Sequence, residues 1–129
     1  PLWSRGLGDV YKRQVLISSH SLSHRHFVTE SPLPEDMSRE HIYNHSQYVW
    51  DMKLVDLMRE GKMRELIDIL PEFTEQTIAE TEAGGLTWMM SAMGFPQYSA
   101  EIYGYQSVIG TGNLVAAWDP NAVTREIVL

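Results

Sequence analysis

Apolar and polar positions along the chain fall into three regimes. Val15-Leu16-Ile17 is a short unbroken apolar run that predicts a buried strand over residues 15–18, running out into a polar, histidine-dense stretch. From residue 46 to residue 93 the apolar spacing becomes helical. In the last third the period shortens again. Ile102–Ile109 reads as a strand, Gly110-Thr-Gly-Asn113 as a turn and Leu114–Trp118 as a second strand, closed by Asp119-Pro120.

The helical regime resolves into several pieces. Ser46 is a plausible N-cap and Gly61 a plausible C-terminal glycine for a first helix, in which Tyr48, Met52 and Val55 recur at i, i+4 and i+7. Leu57 and Met58 extend that apolar side, and Asp51, Lys53, Asp56, Arg59 and Glu60 are expected on the solvated one. A short helix over 62–70 carries Met63, Leu66, Ile67 and Leu70. Pro71 then suits the first turn of a third helix, where its missing N–H costs nothing and Glu72 and Glu75 meet the positive end of the dipole. That helix is expected to run through Phe73, Thr77, Ile78 and Glu80 to a break at Gly84-Gly85. Leu86–Met93 adds a turn or two before Gly94-Phe-Pro96. Residues 28–45, with Pro32, Pro34, His41 and His45, read as a loop of functional length. Strand, helices and strands in this order predict an α/β domain with a small mixed sheet flanked by helices.

Composition narrows the picture. The first fourteen residues, which hold Gly-Leu-Gly-Asp-Val-Tyr-Lys-Arg-Gln, resemble translated sequencing-adapter read-through, so they are set aside from the fold. Residues 15–129 are then expected to be the C-terminal part of a larger single-domain α/β enzyme that begins upstream. This part carries seven Lys plus Arg against sixteen Asp plus Glu, a net charge of −9, which repels phosphate backbones and argues against nucleic acid. Cysteine is absent, which excludes disulfides and thiolate metal sites. No apolar run approaches the roughly twenty residues of a membrane span, and a soluble cytoplasmic protein is expected.

The candidate chemistry begins with His20, His24 and His26, three histidines within seven positions where the first strand runs out into a loop. Such residues titrate near neutral pH, shuttle protons or bind transition metals; each taken singly also suits an ordinary loop histidine. His24-Arg-His26 followed by Glu30 partly matches a cupin metal pattern, but without its flanking glycines and ahead of helices where a cupin has β-hairpins. A helical metal pair at His41 and His45 is opposed by the prolines before it. Glu80 shares a helical face with Phe73 and Thr77 and so points inward, whereas Glu82 lines up with Ile78 and Glu75; a solvated helix end is the competing reading. Trp88, Met89, Met90 and Met93 read as core, and Gly110-Thr-Gly112 is too short for a phosphate loop.

The order of these features carries a resemblance. A strand, Leu22-Ser-His24, an acidic loop, the Tyr48-Val-Trp-Asp-Met52 helix, Ala79-Glu-Thr81, Leu86-Thr-Trp88, Gly104-Tyr105 and Ile109-Gly-Thr-Gly-Asn113 follow one another along residues 15–129. The set resembles the C-terminal portion of class III extradiol ring-cleavage dioxygenases, of which the protocatechuate 4,5-dioxygenase catalytic subunit is the type, and within them the 2-aminophenol 1,6-dioxygenase β-subunit branch. The resemblance implies O₂-dependent opening of a catechol- or 2-aminophenol-type ring, in aromatic catabolism, with non-haem Fe(II) held by two histidines and a glutamate. It implies that both histidine ligands lie in the N-terminal half, outside this chain, so that the chain alone is inactive. It matches His24 to the family's catalytic histidine, a base and then an acid that is not itself a ligand. It matches Glu80 to the iron-binding glutamate, with Glu82 as the fallback, and leaves His20 and His26 as substrate-shaping neighbours. Homo- or hetero-oligomers are expected. A non-catalytic partner subunit of the same fold and a small acidic α/β interaction domain are the alternatives.

Overall fold

The computed structural model describes residues 15–24, 42, 44–108 and 110–122. The segment set aside at 1–14, and His26, Glu30, Pro32, Pro34 and His41, lie outside the described residues. The elements are α1 (His45–Glu60), α2 (Met63–Thr77), a short 3-10 turn (Glu80–Ala83), α3 (Gly84–Ala92), β1 (Glu101–Val108) and β2 (Thr111–Ala117).

Helix α1 begins one residue before the expected cap. Asn44, extended at φ −135°, accepts the Ser46 and Gln47 N–H groups on its side-chain oxygen, so Asn44 and not Ser46 satisfies the orphan donors. Gly61 ends the helix in the left-handed conformation, as its position predicts, and its N–H reaches back to the Met58 carbonyl. The buried stripe is Gln47, Asp51, Leu54, Val55 and Met58, rotated by about one residue from the Tyr48–Met52 face that the apolar spacing suggests. The upper half of that stripe is polar, and this matters for the site.

Pro71 does not open a helix. It lies inside α2, one continuous helix of fifteen residues. The missing N–H falls on the exposed side, while Met63, Leu66, Leu70, Phe73 and Thr77 are buried along the opposite face; packing outweighs the local break. Helix α2 also stops earlier than expected. Ile78 takes a left-handed conformation, and Thr81, Glu82 and Ala83 do the same, so Glu80 sits in a sharp turn and not on a helical face. Gly84 and Gly85 open α3 and do not break a helix.

Strands β1 and β2 form an antiparallel hairpin in register from Glu101 opposite Ala117 to Val108 opposite Thr111, with an irregularity between Ile102 and Gly104. The α/β class is borne out, and the described sheet is this two-stranded antiparallel pair. Val15–Ile17 is not a buried strand in it. The segment has no ladder partner among the described residues, and Val15 and Ile17 are 81% and 79% exposed. Between the helices, Leu54, Met58, Met63, Leu66, Phe73, Leu86 and Met90 form one apolar core that Leu22 joins from the histidine segment. Each such side chain contributes about 1.5–3 kcal/mol by leaving water, so the core, not the short hairpin, anchors the site.

Candidate active site

The segment Ser21–His24 has no helix or strand of its own, yet Ser21, Leu22 and Ser23 are buried. Its backbone groups are satisfied from three sides. Leu22 N–H donates to the Gly112 carbonyl and Gly112 N–H returns a bond to the Ser23 carbonyl, tying the segment to β2. His24 N–H donates to the Thr77 carbonyl at the end of α2. Gln47 of α1 donates its amide to both the His24 and Thr77 carbonyls, at 3.3 and 3.0 Å. A buried loop is tolerable only when its polar groups are paired, and here these bonds fix the backbone around His24.

Glu80 reaches this segment from its turn. Oε2 accepts the Ser21 N–H at 2.9 Å and the Ser21 hydroxyl at 3.0 Å. Those two donors, backbone first, hold its carboxyl below the usual carboxylate range, helped by the nearby His24 and His20. The Ser21 hydroxyl hydrogen is committed to Glu80, so the 3.1 Å contact between Ser21 Oγ and His24 Nδ1 needs its hydrogen from the imidazole. His24 is thereby set as the Nδ1–H tautomer, with the lone pair on Nε2. Ser18 does the same for His20. Its hydroxyl donates to the Gly85 carbonyl at 2.8 Å, so His20 Nδ1 donates across the 3.0 Å contact to Ser18 Oγ. Burial pushes the His20 imidazole down from its ordinary value, against the raising pull of Glu80. Gly85 is required beneath it, because a Cβ there would stand 2.6 Å from His20 Nδ1.

No family model matches the chain. The 2-aminophenol 1,6-dioxygenase β subunit of a Pseudomonas species is 49% identical to it over 108 residues, 84% of this chain. The chain is homologous to that β subunit. It spans 35% of that relative's length. The colinear resemblance to extradiol dioxygenases is thus borne out.

Set against the extradiol β-subunit resemblance, the structure joins His24 and Glu80 through Ser21, and His20, bonded to Ser18, lies near enough to feel the Glu80 charge. Glu82 is exposed and does not share the Ser21 contacts. His26 lies outside the described residues, and His45 starts α1 at the surface, tilted against Tyr48. Among the described residues, no three His, Cys, Asp or Glu side chains converge to hold a metal. Glu80 is fastened through Oε2, and its other carboxylate oxygen is not engaged by Ser21. A lone, well-oriented carboxylate oxygen fits one corner of a two-histidine, one-carboxylate set.

Asp51 escaped the sequence reading, which placed it on the solvated side of α1. It is fully buried. Oδ1 accepts the Ser23 N–H at 2.9 Å, and Oδ2 accepts the Ser23 hydroxyl and the Tyr105 phenol, both at 2.6 Å. Burial raises its carboxyl above the ordinary range, and these donors oppose the rise. A helical spacing of four from Gln47 was the available signal, but polar residues on a face are legible as buried only once their partners are known.

Proposed function

We propose that this chain forms the C-terminal part of an Fe(II)-dependent extradiol dioxygenase subunit that opens a catechol- or 2-aminophenol-type ring with O₂. The observation that supports it best is the Ser21 junction, which joins an oriented imidazole to an oriented carboxylate in a segment homologous to the β subunit. Glu80 would hold the metal through Oε1, together with two histidines outside this chain. When bound, Fe(II) supplies open positions for the ring substituents and for O₂.

The residues of this chain do the proton work. His24 Nε2 takes a proton from the substrate's ring hydroxyl, and returns it later as the ring opens. The Nδ1–H bond to Ser21, which is itself bonded to the Glu80 carboxylate, keeps the imidazole in one orientation while the proton moves at Nε2. His20, and by the resemblance His26, shape the substrate side of the pocket. The β-subunit name of the relative supports an assembly with a companion subunit, and small aromatic substrates rather than nucleic acid or membrane as ligands. Among the described residues no helix is long and apolar enough to cross a membrane.

The deciding experiment grafts residues 15–129 in place of the matched segment of the Pseudomonas β subunit and measures iron in purified variants. Glu80→Ala should empty the site, since two neutral imidazoles remain. Glu82→Ala should keep near-normal iron. The reverse pattern would move the ligand to Glu82, and a parent chimera with neither iron nor ring cleavage would sink the enzyme reading in favour of a non-catalytic subunit.

A further inference from the structure

One buried acid remains outside the proton path and the metal corner. Asp51 sits four residues after Gln47 on the buried face of α1 and reaches Ser23, the residue before His24. It also reaches Tyr105 on β1, and Gly112 of β2 lies against it so closely that a Cβ there would overlap Oδ2. Three elements that share no covalent neighbourhood therefore meet on one carboxylate: the histidine segment, helix α1 and the hairpin.

We propose that Asp51 is a positioning residue for His24, holding Ser23 by backbone and side chain so that the imidazole and the Glu80 carboxylate keep a common frame at Ser21. The inference rests on the dioxygenase reading. A carboxylate suits the post because every group facing it is a donor: one N–H on Oδ1 and two hydroxyls on Oδ2. Bonds of 2.6 Å to an anionic acceptor are stronger and more directional than neutral ones. An amide of the same shape cannot reproduce them. With its NH₂ at the Oδ1 place it meets the Ser23 N–H donor to donor. Turned the other way, it forces Ser23 and Tyr105 to give up their acceptor. Either way the turn before His24 loses a constraint while the apolar core beneath, Leu54 and Met58, is untouched. Tyr105 is the outer brace. Its ring also packs edge-on against Tyr48 at 5.8 Å, so the phenol reaches Asp51 from a fixed direction.

The test uses the same full-length chimera. Asp51→Asn is expected to lower kcat at least tenfold while iron content and KM stay within about twofold, the pattern of a group misaligned in the reaction rather than lost from binding. Tyr105→Phe, which removes only the outer brace, should give a smaller loss of the same kind. In metal-free protein, ¹⁵N shifts of the His24 ring should show Nδ1–H in the parent and a mixture of tautomers in Asp51→Asn. That signal is readable even if the parent proves inactive, so the positioning role and the dioxygenase reading fail separately. Unchanged kcat and tautomer in Asp51→Asn, or a kcat that falls only in step with folded, iron-loaded protein, would overturn the proposal.

Discussion

Two histidines four positions apart owe their readiness to serines. Ser18 and Ser21 each spend their one hydrogen on a fixed oxygen, Gly85 carbonyl and Glu80 carboxylate, and so oblige the imidazoles beside them to carry hydrogen on Nδ1. If His24 is the acid–base group and not a ligand, His24→Ala in the chimera should retain iron and substrate binding and lose about 10²–10⁴-fold in turnover. Loss of iron would make it a ligand, and no loss would reduce the segment to a plain loop. His20 sets a pH dependence. Its folded-state pKa lies below the ordinary 6.5, chiefly through burial, so between the two values the unfolded chain binds more protons. Its contribution to stability is full above about pH 6.5 and is lost as pH falls through the folded value. Glu80, held below its ordinary 4.5, acts in the same direction further into acid. Melting of the metal-free chimera should therefore drop between pH 7.5 and 5.5, and His20→Gln should flatten that drop; an identical drop in the variant would remove His20 as its source.

At the level of elements, the turns carry the strain and the helices the stability. Four non-glycine residues around Glu80, namely Ile78, Thr81, Glu82 and Ala83, hold left-handed backbone at φ 49–58°. Each costs about 1–2 kcal/mol relative to ordinary helix, and that strain persists because α2 and α3 are packed on either side. The result is a carboxylate carried toward Ser21 where a longer helix would have pointed it elsewhere. Gly61 works in the opposite sense. It takes φ +72° without penalty, and its Cα lies so close to the Tyr98–Ser99 backbone that a Cβ would come within 2.7 Å of the Tyr98 carbonyl carbon. Gly61→Ala should destabilise the folded protein by at least about 1 kcal/mol, because neither the left-handed backbone nor a main-chain neighbour yields cheaply. A denaturant titration showing no change would mean that the α1–α2 turn relaxes freely.

Across the whole molecule the notable surface is an open groove of about 790 Å³ between Val15–His20 and Leu114–Trp118. Val15, Ile17 and Val115 are exposed along it, and the buried indole N–H of Trp118 has no acceptor among the described residues. Extended apolar chain lying beside an incompletely paired strand invites association. Residues 1–129 expressed alone should self-associate in light scattering, and Ile17→Lys with Val115→Lys should reduce it. The same chain should bind Fe(II) weakly and turn over no catechol, since its described residues offer one carboxylate corner and no three-ligand cluster. Tight, stoichiometric iron in the isolated chain would contradict the ligand assignment and revive a metal site built from the histidine segment itself.

The linear pattern by itself determined most of what is local. The hairpin at 102–118, the Gly61 stop of α1, the helix after Gly85 and the α/β order follow from period, glycine and proline, because those signals act within a few residues. Tertiary structure decided the rest. It carried α2 through Pro71, ended that helix before Glu80, buried Asp51 and Gln47, and left Val15–Ile17 outside the described sheet. The pairing of His24 with Glu80 through Ser21 belongs to this second kind. Fifty-six positions separate the two residues, and only the joint packing of the loop on α1, α2 and β2 brings one hydroxyl within reach of both. A polar side chain's burial depends on which distant donors surround it, and no spacing along the chain encodes that.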